Sequence, residues 1–102
     1  MDGSGNIGMA DLHLEKGIIY SVSPNPFTDE VEIDYGVFQS YNVSIQIFNM
    51  QGALVAELDK QNLEPEKYKA IWKPEQNVPA GTYFVALKLN DLQVHYQKIV
   101  KL

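Results

Sequence analysis

From residue 17 onward, apolar side chains recur at every second position in short runs, and Pro, Gly, Asn or Asp interrupts each run after roughly 8 to 12 residues. Val31, Ile33 and Tyr35 alternate with Glu30, Glu32 and Asp34, and Tyr83, Val85, Leu87 and Leu89 alternate with Phe84, Ala86, Lys88 and Asn90. Val43, Ile45 and Ile47 repeat the pattern, as do Tyr68, Ala70 and Trp72. A period of two belongs to a strand whose faces meet different surroundings, and no segment carries a 3.6-residue apolar period long enough for a helix. The chain is therefore restricted to short antiparallel strands with one face buried.

The breaks locate the ends of those strands. Ser23-Pro24-Asn25-Pro26 removes two backbone donors, so no ladder runs through it and the first strand ends near residue 22. Met50-Gln51-Gly52 reverses the chain between strands expected at residues 42–49 and 53–58, with Gly52 at the position where positive φ costs least. Residues 62–66 form an expected loop around Pro65, and Pro74 closes the strand at 67–73. Pro79-Ala80-Gly81 opens a terminal hairpin whose corner is Asn90-Asp91, a pair that tolerates positive φ. About seven such strands, with Trp72 and Tyr83 as core candidates, predict an all-β, immunoglobulin-like antiparallel β-sandwich; a small closed barrel is the alternative.

A chain of 102 residues is long enough to bury roughly two-thirds of its extended surface in one domain without disulfides, and it has no cysteine. Residues 17–102 are expected to form that domain. Residues 1–16, with Gly3, Gly5 and Gly8 close together, are expected to be a flexible linker or appended segment, although Leu12 and Leu14 could add a few paired residues to an edge. The net charge of −5 argues against a nucleic-acid partner, and no window reaches the roughly 20 apolar residues that span a bilayer.

Catalytic signals are missing from the sequence. The two histidines are His13, in the expected linker, and His95, which reads as a solvent-facing strand residue. Glu30, Glu32 and Asp34 repeat about 7 Å apart along a strand, too far to share one Ca²⁺ with bonds of roughly 2.4 Å, so they read as a solvated face. Asn42-Val43-Ser44 matches a glycosylation acceptor but opens a predicted strand. Neither a cofactor nor an enzymatic activity is expected. Tyr41, Phe48 and Phe84 form a candidate aromatic row for a sugar ligand.

Taken together and in order, Ser23-Pro24-Asn25-Pro26-Phe27, the stretch from Ile47 through Gly52 to Val55, Tyr68 and Trp72, Pro79-Ala80-Gly81-Thr82-Tyr83-Phe84-Val85, and Gln97-Lys98-Ile99-Val100-Lys101-Leu102 resemble the type A C-terminal sorting domain of the type IX secretion system of Bacteroidota. The resemblance covers about residues 20–102. It implies a non-catalytic address at the end of a larger cargo protein. That cargo would be exported through the periplasm to the outer-membrane surface or the medium, with the type IX translocon and a sortase-like peptidase as partners. Carried over by position, Pro24, Asn25, Pro26 and Phe27 match the proline motif and Gly52 the central turn. Pro79, Gly81 and Tyr83 match the late turn, and Lys98, Ile99, Val100, Lys101 and Leu102 the terminal segment. Cleavage is expected in or before residues 1–20. Two positions depart from the pattern: Glu66 stands about where related sequences usually carry Gly, and His95-Tyr96-Gln97 is less basic than many family endings.

The proline motif and late turn also resemble an immunoglobulin-like accessory module, similar to the flagellar hook-capping protein, found at the end of bacterial hydrolases; that binding module is the alternative function. If residues 98–102 form an edge strand, a receptor could read their backbone by strand addition, and the same edge invites dimerisation. Ile99 falls out of phase with Tyr96, Lys98 and Val100, so the segment is either covered on both faces or bulged.

Overall fold

A computed structural model of the protein describes residues 12–102, so residues 1–11 of the expected linker lie outside the described residues. Seven strands follow in chain order: β1 (Gly17–Ser23), β2 (Val31–Val37), β3 (Tyr41–Asn49), β4 (Leu54–Leu63), β5 (Glu66–Trp72), β6 (Gly81–Leu89) and β7 (Leu92–Lys101). They form two antiparallel sheets, ordered β1-β2-β5 and β4-β3-β6-β7. Two open sheets packed face to face are the expected sandwich and exclude the closed barrel. Among the described residues there is no helix, hence none long and apolar enough to cross a membrane.

The two-residue period maps directly onto burial. Val31, Ile33 and Tyr35 on β2, Val43, Ile45 and Ile47 on β3, and Val85 and Leu87 on β6 are all completely buried. Register aligns these phases: Ile33 lies opposite Ala70, Ile45 opposite Leu87 and Ile47 opposite Val85. Trp72 and Tyr83 join the core, each 4% exposed, with rings 5.4 Å apart in an edge-to-face arrangement. The acidic face formed by Glu30 and the following β2 is divided between separate partners. Glu32 pairs with Lys69 at 3.6 Å, Glu30 with Lys73 at 3.6 Å, and Asp34 accepts from the Ser21 hydroxyl.

Two segments differ from the sequence-based expectation. β4 runs five residues past the expected end at residue 58, reaching Leu63, because its pairing with β3 absorbs irregularities rather than ending at them. The register shifts between Val43 and Ile45, beside Asp59 with its φ of 50°. The buried Tyr35 hydroxyl donates to Asp59 Oδ2 at 2.8 Å, fixing that corner; burial, reinforced by the carboxylate, pushes the phenol well above its ordinary pKa. The expected loop at 62–66 therefore shrinks to Glu64 and Pro65, where the chain changes sheets.

His95 is the second difference. It lies opposite the inward-facing Leu87 rather than facing solvent, because the β6–β7 register slips between Leu87 and Lys88. Its Nδ1 accepts the Ile19 backbone N–H at 2.8 Å, joining the edge of β1 to β7 across the two sheets. Burial holds the imidazole below its ordinary pKa. At the β6–β7 corner, Asn90 and Asp91 take positive φ, 48° and 68°, as the sequence predicts.

Candidate functional site

The motif residues are scattered through the sequence but share one end of the sandwich. That end gathers the close of β3, the start of β6, and the ends of β5 and β7: Asn49 pairs with Tyr83, Gly81 with Lys101, and Phe27 forms a bridge to Lys101. Trp72 completes the set, its ring 5.8 Å from Phe27 on one side and 5.4 Å from Tyr83 on the other.

Each turn at this pole has a local chemical cause. Gly52 has φ 83° and open space where a Cβ would stand, so backbone conformation, rather than crowding, selects glycine. Asn49 shapes the same turn. Its Oδ1 accepts the N–H groups of Gln51 and Ala53 at 2.9 Å each, and its backbone N–H donates to the Ala53 carbonyl. In the late turn the Tyr83 hydroxyl donates to the Pro79 carbonyl, and Gly81, at φ 148°, starts β6. Met50, Gln51, Pro79 and Ala80 line a shallow cleft between the two turns.

The proline segment covers the last strand. Ser23–Pro24 and Asn25–Pro26 are both cis. Asn25 donates from Nδ2 to the Lys98 carbonyl at 3.2 Å and accepts the Val100 N–H on Oδ1 at 2.9 Å. Phe27 continues the contact, its N–H donating to the Val100 carbonyl at 2.9 Å and its carbonyl accepting the Leu102 N–H at 2.8 Å. Pro24, Asn25 and Pro26 are exposed while Phe27 is buried.

Within the terminal segment Ile99 is fully buried, opposite Tyr83, which answers the phase question: the inner face takes Ile99 and the outer face takes Lys98 and Val100. Lys98 is exposed, Val100 and Lys101 half-buried, and Leu102 is 64% exposed. The pole therefore presents two lysines, an apolar residue and three turns held by hydrogen bonds and cross-strand pairs. That arrangement suits recognition by another protein, and no nucleophile and base are brought together in it.

Two members of this pole belong to the stretches that carry the family resemblance but not to the motif residues carried over from it: Asn49, detectable as an Asx-turn residue before Met-Gln-Gly, and Trp72, read from the sequence also as a core residue. The candidate sugar row does not form as one face. Tyr41 packs against the core at the far end of β3, whereas Phe48 and Phe84 sit opposite each other on the outer face and line a cleft with Tyr96 and Gln93. Among the described residues, no three His, Cys, Asp or Glu side chains are grouped to hold a metal ion.

A family model described as a secretion system C-terminal sorting domain matches residues 21–102. No curated protein sequence matches. Among solved structures, the chain is similar to the Pseudomonas fluorescens alkylpurine DNA glycosylase AlkC bound to DNA containing an abasic site analog, with a TM-score of 0.60 and 12% identity. The likeness covers 85% of this chain and 30% of that one, and at this identity it speaks to the fold alone.

Proposed function

The chain belongs to the family of secretion system C-terminal sorting domains, those of the type IX system of Bacteroidota, and we propose that it addresses its cargo through the pole where its motif residues meet. The observation that carries this reading is the convergence itself. Residues 24–27, Gly52, residues 79–83 and residues 98–102 are far apart in sequence, yet hydrogen bonds and cross-strand pairs tie them into one surface. A sandwich needs turns at both ends for stability, so a concentration of motif residues at one end points to a surface that is read.

In this reading residues 17–102 are the address, and the sortase-like cleavage that separates it from the cargo falls in or before residues 1–20. The domain is a substrate of the translocon and peptidase, without catalysis of its own, and its cargo passes through the periplasm to the cell surface or medium. The half-buried histidine supports this: His95 Nδ1 already accepts a backbone N–H, so it stands as a structural acceptor rather than a general base.

The experiment is a periplasm-directed reporter fused to residues 17–102 in a type IX-competent bacterium. The reporter should reach the surface or medium, and should stay in the periplasm when residues 98–102 are removed. Unchanged secretion after that deletion, with the domain still folded, overturns the reading. A second reading, an accessory binding module, is favoured by the outer-face cleft of Phe48, Phe84 and Tyr96. Glycan-array binding lost in Phe84→Ala, with secretion intact, would support it instead.

A further inference from the structure

β1 and β2 are neighbours in the three-stranded sheet, and Ser23 pairs with Glu32, so a loop joining these strands has no need to leave that sheet. The connecting residues nevertheless cross to β7 of the opposite sheet. There they behave as a short additional strand: the Phe27–Lys101 bridge is parallel, whereas every pairing between named strands is antiparallel. The Lys98 carbonyl, the Val100 N–H and carbonyl and the Leu102 N–H are all satisfied by residues 25 and 27.

Among the other edges, those of β4 and β1 are less suited to a partner strand. β4, at the other side of the four-stranded sheet, has two register irregularities, a positive φ at Asp59 and charged Glu57 and Lys60, features that blunt an edge. The Ile19 N–H of β1 is bound to His95, and the first half of β7 receives the His13 N–H on the Val94 carbonyl. Residues 98–102 differ because their cover is a loop, closed at its base by the β1–β2 ladder, rather than a strand of either sheet.

We propose that the outer edge of residues 98–102 is a strand-docking site and that residues 24–27 are its resident, exchangeable occupant. The external ligand is an extended segment of the export machinery that lies parallel to β7, pairs with Val100 and Leu102, and sets an aromatic ring against Trp72 where Phe27 sits. Asn25 shows what the position two residues earlier requires: a carboxamide that donates to one backbone group and accepts from another. The closed form protects the edge from pairing with other chains until such a segment replaces the loop. The proposal rests on the sorting reading only for the origin of the partner.

Amide hydrogen exchange on the full chain tests the opening. Asn25→Ala should speed exchange at Phe27, whose N–H is held by the untouched Val100 carbonyl, by about tenfold, the loss of roughly one hydrogen bond's worth of local protection, while Ile45 and Val85 in the core keep their rates. No change at Phe27, or an equal rise at all three, overturns a separable loop. Docking is tested with an acetylated peptide of residues 23–28 titrated onto Phe27→Ala, or onto Asn25→Ala if the first variant does not fold. Amide shifts at Val100, Lys101 and Leu102 that disappear when the peptide's own Phe is replaced by Ala support the site. Absence of binding at millimolar peptide, or shifts centred elsewhere, refutes it. Neither result depends on secretion, so failure here leaves the sorting reading standing, and failure of secretion leaves these measurements interpretable.

Discussion

Replacing Phe27 with Ala should be among the most damaging single changes in the domain, although the residue sits in a loop directly after the exposed Pro24-Asn25-Pro26. Its side chain is 1% exposed and its ring lies 5.8 Å from that of Trp72. A buried Phe ring removes on the order of 130 Å² of apolar surface from water beyond what Ala retains, or about 3 kcal/mol at 25 cal/mol per Å². The cavity left between Trp72 and β7 adds to this, for a total loss of about 4 kcal/mol. Domains of this size hold only about 5–15 kcal/mol, so the variant should lose from about a quarter to most of its stability. Urea unfolding followed by tryptophan fluorescence suits the question, since Trp72 is the single tryptophan and touches the mutated site. Phe27→Leu should lose about 1 kcal/mol, and Phe38→Ala, at a side chain 45% exposed, should change stability by less than about 0.5 kcal/mol. A loss below about 1 kcal/mol in Phe27→Ala, with an unchanged denaturant slope, would refute the claim that the loop is anchored in the core.

Two further predictions concern other contacts. At the opposite end, Asn90 accepts the Asn42 N–H on its side chain at 2.9 Å and donates its own N–H to the Asn42 carbonyl at 2.8 Å, so Asn90→Ala should cost about 1–2 kcal/mol by thermal or urea unfolding, and Asn90→Gly, which keeps the positive φ, less. His95 gives a pH dependence: its folded pKa is lowered by burial, so the unfolded chain binds the extra proton first. Its contribution is complete above the unfolded value of about 6.5 and declines as pH falls toward the folded value; His95→Gln should flatten stability-versus-pH curves in that window, and a flat native curve there would contradict the assignment.

The strands that alternate cleanly could be read from the sequence because burial on one face imposes a period that side chains cannot hide. Val31, Ile33 and Tyr35 illustrate this; the Asn90-Asp91 corner was legible for another reason, its positive φ, which favours Asn and Asp. β4 could not be read to its end, because Asp59 and the shifts in β3 pairing break the period while the ladder continues. His95 was misplaced for a similar reason: a one-residue slip opposite Leu87 changes which way a side chain turns, and nothing local in Val94-His95-Tyr96 announces it. The candidate site was legible as separate motifs and not as a surface. Its unity depends on Asn25 and Phe27 reaching residues more than 70 positions away, a contact between sheets that no local pattern encodes.

Secretion of reporter fusions carrying paired surface substitutions tests the central claim, that the address is the pole. Lys98→Glu with Met50→Ser alters exposed side chains there, and Glu64→Lys with Asn62→Ser alters exposed side chains at the opposite end. With unfolding midpoints matched to the unmodified domain, the first pair should leave most of the reporter in the periplasm and the second should leave secretion unchanged. Equal secretion from both, or loss only with the second, would contradict it.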